Sequence, residues 1–230
     1  MSADILRSSE FVTDAVALIV AEARKAVDER GVFRLGLCGG STPKGVYTAL
    51  ANVALPWEKV QITFGDERCV PPDDAQSNYR MANETLLTPA GIPKENIFRM
   101  KGELDPAQAA GEYERLLAAE AARSGEPRYR HDLLLLGMGD DGHTASLFPE
   151  TAALEETGRN VVANFVPKLD TWRITFTFPL INAARHVCFL VNDPKKEPVV
   201  QQVLAKSGGY PSERVAPESG RLTWILGNGK

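Results

Sequence analysis

The stretch Val32-Phe-Arg-Leu-Gly-Leu-Cys-Gly-Gly-Ser-Thr-Pro43 decides how the rest of the chain is read. Residues 32–38 are an apolar run with the length of a buried strand. Gly39 and Gly40 interrupt it. Pro43 then suits the first turn of a helix, with Thr42 as its cap, and that helix is expected to reach about residue 52. Strands that alternate with helices in this way imply an α/β domain with a largely parallel sheet.

The alternation recurs outward from this unit. Upstream, Val12, Val16, Ile19, Ala23 and Val27 stand at three- and four-residue spacings, the stripe of an amphipathic helix that Gly31 is placed to end. Downstream, residues 59–64 read as a strand running into Gly65-Asp-Glu-Arg68, and residues 77–87 as a helix capped by Ser77. Asp105-Pro-Ala-Gln108 has the form of a capping box before an alanine-rich helix reaching about residue 123. Residues 132–136 are a buried strand that leads into a glycine-rich loop. Further strands are expected at 173–178, 186–191 and 222–226, with a helix near 197–205. The expected fold is therefore α/β: one domain over residues 1–230, three layers α/β/α, with a mostly parallel, Rossmann-like sheet. No repeat of fixed period is present, and residues 71–74 and 124–127 read as surface loops rather than linkers.

Bulk properties exclude several function classes. The 230 residues suffice for one substantial core, and 43% apolar with 24% charged residues is ordinary for a globular protein. A net charge of −4 gives no basic face for a nucleic-acid partner, yet local cations can still receive a small anion. Cys38, Cys69 and Cys188 are widely spaced and odd in number, which favours buried thiols in a reducing compartment over a disulfide framework. Residues 1–10 show no secretory signal, and no apolar window is long enough for a membrane span, so a cytoplasmic location is expected.

Ligands of open α/β sheets bind at the carboxyl ends of the strands. Three polar loops follow predicted strands: Gly39 to Lys44, Gly65 to Arg68, and Gly137 to Ser146. In the first, Gly39, Gly40, Ser41 and Thr42 combine close backbone approach with hydroxyls and a helix N-terminus, which suits an anion; a tight capped turn would read the same. It is neither a P-loop nor a GxGxxG fingerprint. In the second, Arg68 can grip a phosphate through two N–H groups with an acidic neighbour such as Asp66 orienting it, or the tripeptide is a solvated charge cluster. The third, Gly137-Met-Gly-Asp-Asp-Gly-His-Thr-Ala-Ser146, is the most specific. It presents His143 beside Asp140 and Asp141, a histidine placed to act as general base with a carboxylate orienting its ring. No second histidine or cysteine stands near enough for a zinc pattern, and there is no Gly-x-Ser-x-Gly elbow for a nucleophilic serine. Lys168 and Arg173, around Trp172, add two cations before a strand, which a solvated loop would also show.

These segments resemble the 6-phosphogluconolactonase family. The resemblance runs through Cys38-Gly-Gly-Ser-Thr-Pro43, Asp66-Glu-Arg68, Ser77-Asn-Tyr79, Gly137 to Pro149, Lys168, Arg173-Ile-Thr175 and Ile181-Asn-Ala183, in the family's order from about residue 10 to 226. The related glucosamine-6-phosphate deaminases usually continue the Asp-Gly-His core with Ile-Ala-Phe-Asn-Glu-Pro. Here Thr144-Ala-Ser-Leu-Phe-Pro149 stands instead, and it selects the lactonase reading. Departures are Asn192-Asp-Pro-Lys-Lys196, where members often carry a glycine before the lysine, and the ending Gly227-Asn-Gly-Lys230.

The resemblance implies hydrolysis of 6-phospho-D-glucono-1,5-lactone in the oxidative pentose phosphate pathway, with no cofactor and no metal. His143 and Asp141 are the expected catalytic residues. Gly39, Gly40, Ser41, Thr42, Asp66, Arg68, Lys168 and Arg173 are expected at the substrate and its phosphate. The expected partner is the phosphorylated sugar lactone alone, without nucleic acid or membrane, the chain acting as a monomer or weak homodimer. A deaminase-like isomerase and a non-catalytic sugar-phosphate sensor stand as alternatives. Whether Asp140 or Asp141 orients His143 is open at this point.

Overall fold

Leu133-Leu-Leu-Leu136 shows how the molecule is layered. The computed structural model describes residues 3–229. Its strands are β1 (Asp4–Arg7), β2 (Phe33–Leu37), β3 (Val60–Phe64), β4 (Asp66–Arg68), β5 (Leu133–Leu136), β6 (Val161–Val166), β7 (Thr171–Phe176), β8 (His186–Val191) and β9 (Arg221–Leu226). Its helices are α1 (Phe11–Arg30), α2 (Thr42–Leu50), α3 (Asn78–Ala82), α4 (Pro106–Arg123), α5 (Phe178–Asn182) and α6 (Glu197–Ala205). Along β5, Leu133 and Leu135 pack with Ile19 and Ala23 of α1 and with Val46 and Leu50 of α2. Leu134 and Leu136 point the other way, into a second core with Tyr113 and Leu117 of α4 and Val200 of α6. A strand covered on both faces is apolar at every position rather than at alternate ones, and this is why four leucines stand in a row.

Six strands form a wholly parallel sheet in the order β1-β9-β8-β5-β2-β3. Helices cover both faces, which gives the expected three layers. Because all six strands run one way, their carboxyl ends open on one edge.

Several elements differ from their sequence expectation. Residues 66–68 are not a loop: they form β4, which pairs antiparallel with β7 and places Arg68 opposite Arg173. The strand expected at 173–178 is β7, two residues earlier, and it belongs to this second sheet, β4-β7-β6, rather than to the parallel one. Phe178 instead starts α5. β1 escaped notice because it is an edge strand with all four residues exposed, so no burial pattern marks it. The helix expected over 77–87 starts as planned, with the Ser77 hydroxyl accepting the Arg80 N–H at 3.1 Å, but widens to π geometry at Asn83–Leu87. Asp105 caps α4 by accepting from Ala107 and Gln108, both at 3.0 Å. Gln108 turns to Glu112, so the reciprocal half of the capping box is not made.

On α1 the buried line is Phe11, Ala15, Ile19, Ala23 and Ala26, while Val12, Val16 and Val27 are only partly covered. Alanine carries little hydrophobic signal, so the valines mark the stripe one residue off its true centre. Gly31 ends the helix as expected, at φ 74° with its N–H on the Val27 carbonyl. Among the described residues no helix is long and apolar enough to cross a membrane. The expected span of 1–230 and the terminal Lys230 reach over Met1, Ser2 and Lys230, which lie outside the described residues.

Candidate active site

A cavity of about 440 Å³ opens at the carboxyl edge of the sheet. The Gly39–Thr42 turn after β2, Asp66 and Arg68 of β4, the loop after β5, Lys168 and Arg173 around the β6–β7 turn, and Lys196 after β8 all line it. Every site residue expected from the sequence thus reaches one cavity.

The loop after β5 is folded back on itself. The Gly139 N–H donates to the His143 carbonyl at 2.9 Å, the Gly142 N–H donates to Gly139 at 3.0 Å, and the Thr144 hydroxyl donates to Gly137 at 2.9 Å. Two glycines are demanded here. A Cβ on Gly139 would sit 2.1 Å from the His143 ring, and Gly142 has φ 69° with Tyr210 only 2.5 Å from where its Cβ would be. The Ser212 N–H and hydroxyl both donate to the Gly142 carbonyl, at 3.0 and 2.7 Å, bracing the loop from the far side.

This turn brings Asp141 against His143, with Oδ1 2.5 Å from Nδ1. The second carboxylate oxygen accepts from Lys168 Nζ at 2.8 Å. Burial works against the ionised form of Asp141, but the hydrogen bonds from Lys168 and His143 outweigh it and hold its pKa at about 2. An acceptor at Nδ1 fixes the proton there and leaves Nε2 as the basic nitrogen. No hydrogen bond engages Nε2 among the described residues. Phe148 stacks on the imidazole, centroids 3.9 Å apart at 22°, and sets its plane. Asp140, the other candidate, is 88% exposed and lies 3.6 Å from Lys196. Asp141 is therefore the partner of His143.

Lys168, expected at the substrate and its phosphate, lines the cavity and donates to Asp141. Arg68 and Arg173 differ from it. Neither pairs with a carboxylate among the described residues; Arg68 donates to the Gln76 carbonyl at 2.7 Å and its buried Nε has no partner. Burial first, and then the charge of Arg68, push the Arg173 guanidinium below its ordinary pKa. The charges of Asp66 and Glu67 act on Arg173 the other way, yet no carboxylate is in direct contact with either guanidinium among the described residues. Two adjacent, partly desolvated cations so placed are a site for an anion. Gly39, Gly40 and Ser41, with Thr42 and Pro43 at the N-terminus of α2, line the same cavity.

Asp66 is buried, and its carboxylate accepts from the Ser146 hydroxyl at 2.6 Å and from the Asn78 amide at 3.2 Å. The neighbouring Glu67 turns away and accepts from Ser77, Asn78 and Tyr79. Lys196, only a departure from a pattern in the sequence, lines the cavity and donates to the Met138 carbonyl at 2.5 Å. The rule that pointed to the other loops would have found it, since it follows the end of β8.

An α/β sheet whose strand ends bring a carboxylate-oriented imidazole and two adjacent arginines into one cavity is the arrangement of an enzyme for a small anionic substrate. The family model described as glucosamine-6-phosphate isomerases/6-phosphogluconolactonase matches residues 7–224, and the chain belongs to that family. It is 41% identical to the 6-phosphogluconolactonase of Synechocystis over 97% of this chain and 94% of that one. A Nostoc 6-phosphogluconolactonase is also 41% identical, over 94% and 90% of the two chains. The crystal structure of 6-phosphogluconolactonase from Thermotoga maritima superposes with a TM-score of 0.86 at 30% identity, covering 99% of both chains.

Proposed function

We propose that this enzyme hydrolyses 6-phospho-D-glucono-1,5-lactone to 6-phosphogluconate, the second step of the oxidative pentose phosphate pathway, with His143 as general base. The observation that carries the reading is the Lys168–Asp141–His143 chain, with Oδ1 2.5 Å from Nδ1, in one cavity with two adjacent arginines. Nε2 takes a proton from water as the water oxygen bonds to C1. The tetrahedral intermediate then collapses, the bond from C1 to the ring oxygen breaks, and the imidazolium returns its proton to that oxygen. Ionised Asp141 stabilises the imidazolium between these steps, and Lys168 keeps Asp141 ionised and aimed. Arg68, Arg173 and the Gly39–Thr42 turn hold the 6-phosphate, so that C1 is presented to one water. Backbone N–H groups of the glycine loops stabilise the oxyanion. A lactone is already an activated ester, and positioning plus one base supplies most of what its opening needs.

The proposed location is the cytoplasm, with which three free cysteines agree, and the proposed partner is the small-molecule lactone. Freshly generated 6-phosphogluconolactone, assayed beside ammonia release from glucosamine 6-phosphate, tests the reading. Lactone turnover without ammonia is expected; ammonia release would make the chain an isomerase of the same family, and neither activity would leave a sensor. His143→Ala should lower kcat by about two orders of magnitude or more with the fold intact. Near-normal turnover in that variant would remove His143 from the mechanism.

A further inference from the structure

Asp66 is a carboxylate set inside a site built for an anion. It lines the same cavity as Arg68 and Arg173, and it would repel a phosphate placed against it. Its charge acts on Arg173, but its oxygens make no direct ion pair with either arginine among the described residues. Its two oxygens are instead held by neutral donors: Ser146 on Oδ2 at 2.6 Å and Asn78 on Oδ1 at 3.2 Å, with Asn78 also donating to the Asp66 carbonyl at 3.0 Å.

Those donors are themselves fixed. Ser146 is buried, its N–H donates to the Thr175 hydroxyl at 3.1 Å, and its carbonyl accepts from buried Asn164 at 2.9 Å. A Cβ on Gly39 would fall 2.0 Å from the Asn78 amide, so Asn78 is pressed against the first turn of the site. A carboxylate has about four acceptor positions, and two donors leave about half of them unused. What such a group accepts is an O–H or N–H. A gluconolactone offers ring hydroxyls, whereas its phosphate oxygens and its carbonyl offer no proton at neutral pH.

We propose that Asp66 is a specificity-determining residue that accepts a ring hydroxyl of the lactone, and that Ser146 is the positioning residue that aims it. This rests on the lactonase reading above. It separates two kinds of recognition in one cavity: the arginines and the Gly39–Thr42 turn take the phosphate, and Asp66 reads the hydroxylated ring. A site that buries an acceptor for a hydroxyl rejects the analogue lacking that hydroxyl, because the acceptor is then left unpaired.

The test compares kcat/KM of the full-length enzyme on 6-phosphogluconolactone and on its 2-, 3- and 4-deoxy analogues. The wild type should discriminate against at least one deoxy analogue by roughly 10- to 100-fold. In Asp66→Ala the parent lactone should fall to the level of that analogue, so the ratio collapses towards 1. Ser146→Ala should lower the same ratio while leaving binding of inorganic phosphate unchanged, a result that a general loosening of the site would not give. If Asp66→Ala does not fold, the isosteric Asp66→Asn carries the test. Equal use of all four lactones by the wild type, or undiminished discrimination in the Asp66 variants, overturns the proposal and leaves the lactonase reading standing. Absence of turnover on every lactone removes that reading, and this proposal with it.

Discussion

Replacing Asp141 by Asn perturbs the catalytic chain at its centre while keeping its shape. In the native enzyme the carboxylate accepts twice, from His143 Nδ1 at 2.5 Å and from Lys168 Nζ at 2.8 Å. An amide has one acceptor and one donor end, so it satisfies one of these groups and presents N–H to the other. If the donor end faces His143, the imidazole proton moves to Nε2, and the nitrogen that should take a proton from water already carries one. A hydrogen bond to a charged group contributes roughly 1.5–3 kcal/mol, and each 1.36 kcal/mol in barrier is tenfold in rate, so lost orientation alone costs about 10- to 150-fold. The tautomer error adds to this, and kcat should fall about 100- to 1,000-fold. KM should stay within about threefold, because the phosphate contacts are untouched.

The fold should respond much less. Asp141 is held at about 2, below its ordinary value, so its ionised form stabilises the folded chain at neutral pH, and that contribution is lost as pH falls from about 4 towards 2. Its side chain is 23% exposed, and solvent screening reduces the stability lost in the variant to about 1 kcal/mol. Stopped-flow hydrolysis of freshly made lactone, corrected for spontaneous opening, gives kcat and KM, and urea unfolding gives the stability. A kcat within threefold of wild type in a folded variant would refute the orienting role.

The remaining predictions concern the anion site, the loop and the core. Arg173→Met should abolish the rise in melting temperature that inorganic phosphate gives the wild type, yet leave the unliganded protein as stable or slightly more so, since it removes a desolvated cation beside Arg68; an undiminished phosphate shift would count against the site. Gly142→Ala should cost about 2 kcal/mol or more and most of the activity, because φ 69° and the Tyr210 ring leave no room for a methyl group; unfolding and turnover measured on one preparation check it. His131 is fully buried and its pKa is lowered to about 3 by burial and by Arg34. The unfolded chain therefore takes up a proton below about pH 6.5 that the folded chain refuses, and stability should fall by roughly 2 kcal/mol between pH 7 and pH 5 from this residue alone. His131→Gln should remove about one proton from that slope, read from urea midpoints at the two pH values; an unchanged slope would contradict it.

What the sequence by itself determined is local. The four leucines of β5, the Gly39–Gly40 break before α2 and the Gly31 stop of α1 are legible because burial on both faces, strand-to-helix turns and helix ends are each decided by a few adjacent residues. Thr42, expected as the cap of α2, is instead its first residue, and Ser41 precedes it without a side-chain cap. His143 was legible for the same reason, since its three flanking glycines stand within six positions. What only the tertiary structure decided is pairing across long separations. Asp140 and Asp141 are chemically alike and adjacent, and only the fold-back of the Gly139–His143 turn turns one to the imidazole and the other to solvent. Lys168 reads as one more cation in the sequence, and only the β6–β7 turn brings it onto Asp141. Arg68 meets Arg173 only because β4 pairs with β7, and the exposed edge strand β1 has no burial pattern to announce it. The Ser146 hydroxyl on Asp66 and the Ser212 clamp on Gly142 join residues 80 and 70 positions apart. Sequence spacing encodes periodicity along one element; it carries no distance between elements, and the charges and hydroxyls of this site take their roles from those distances.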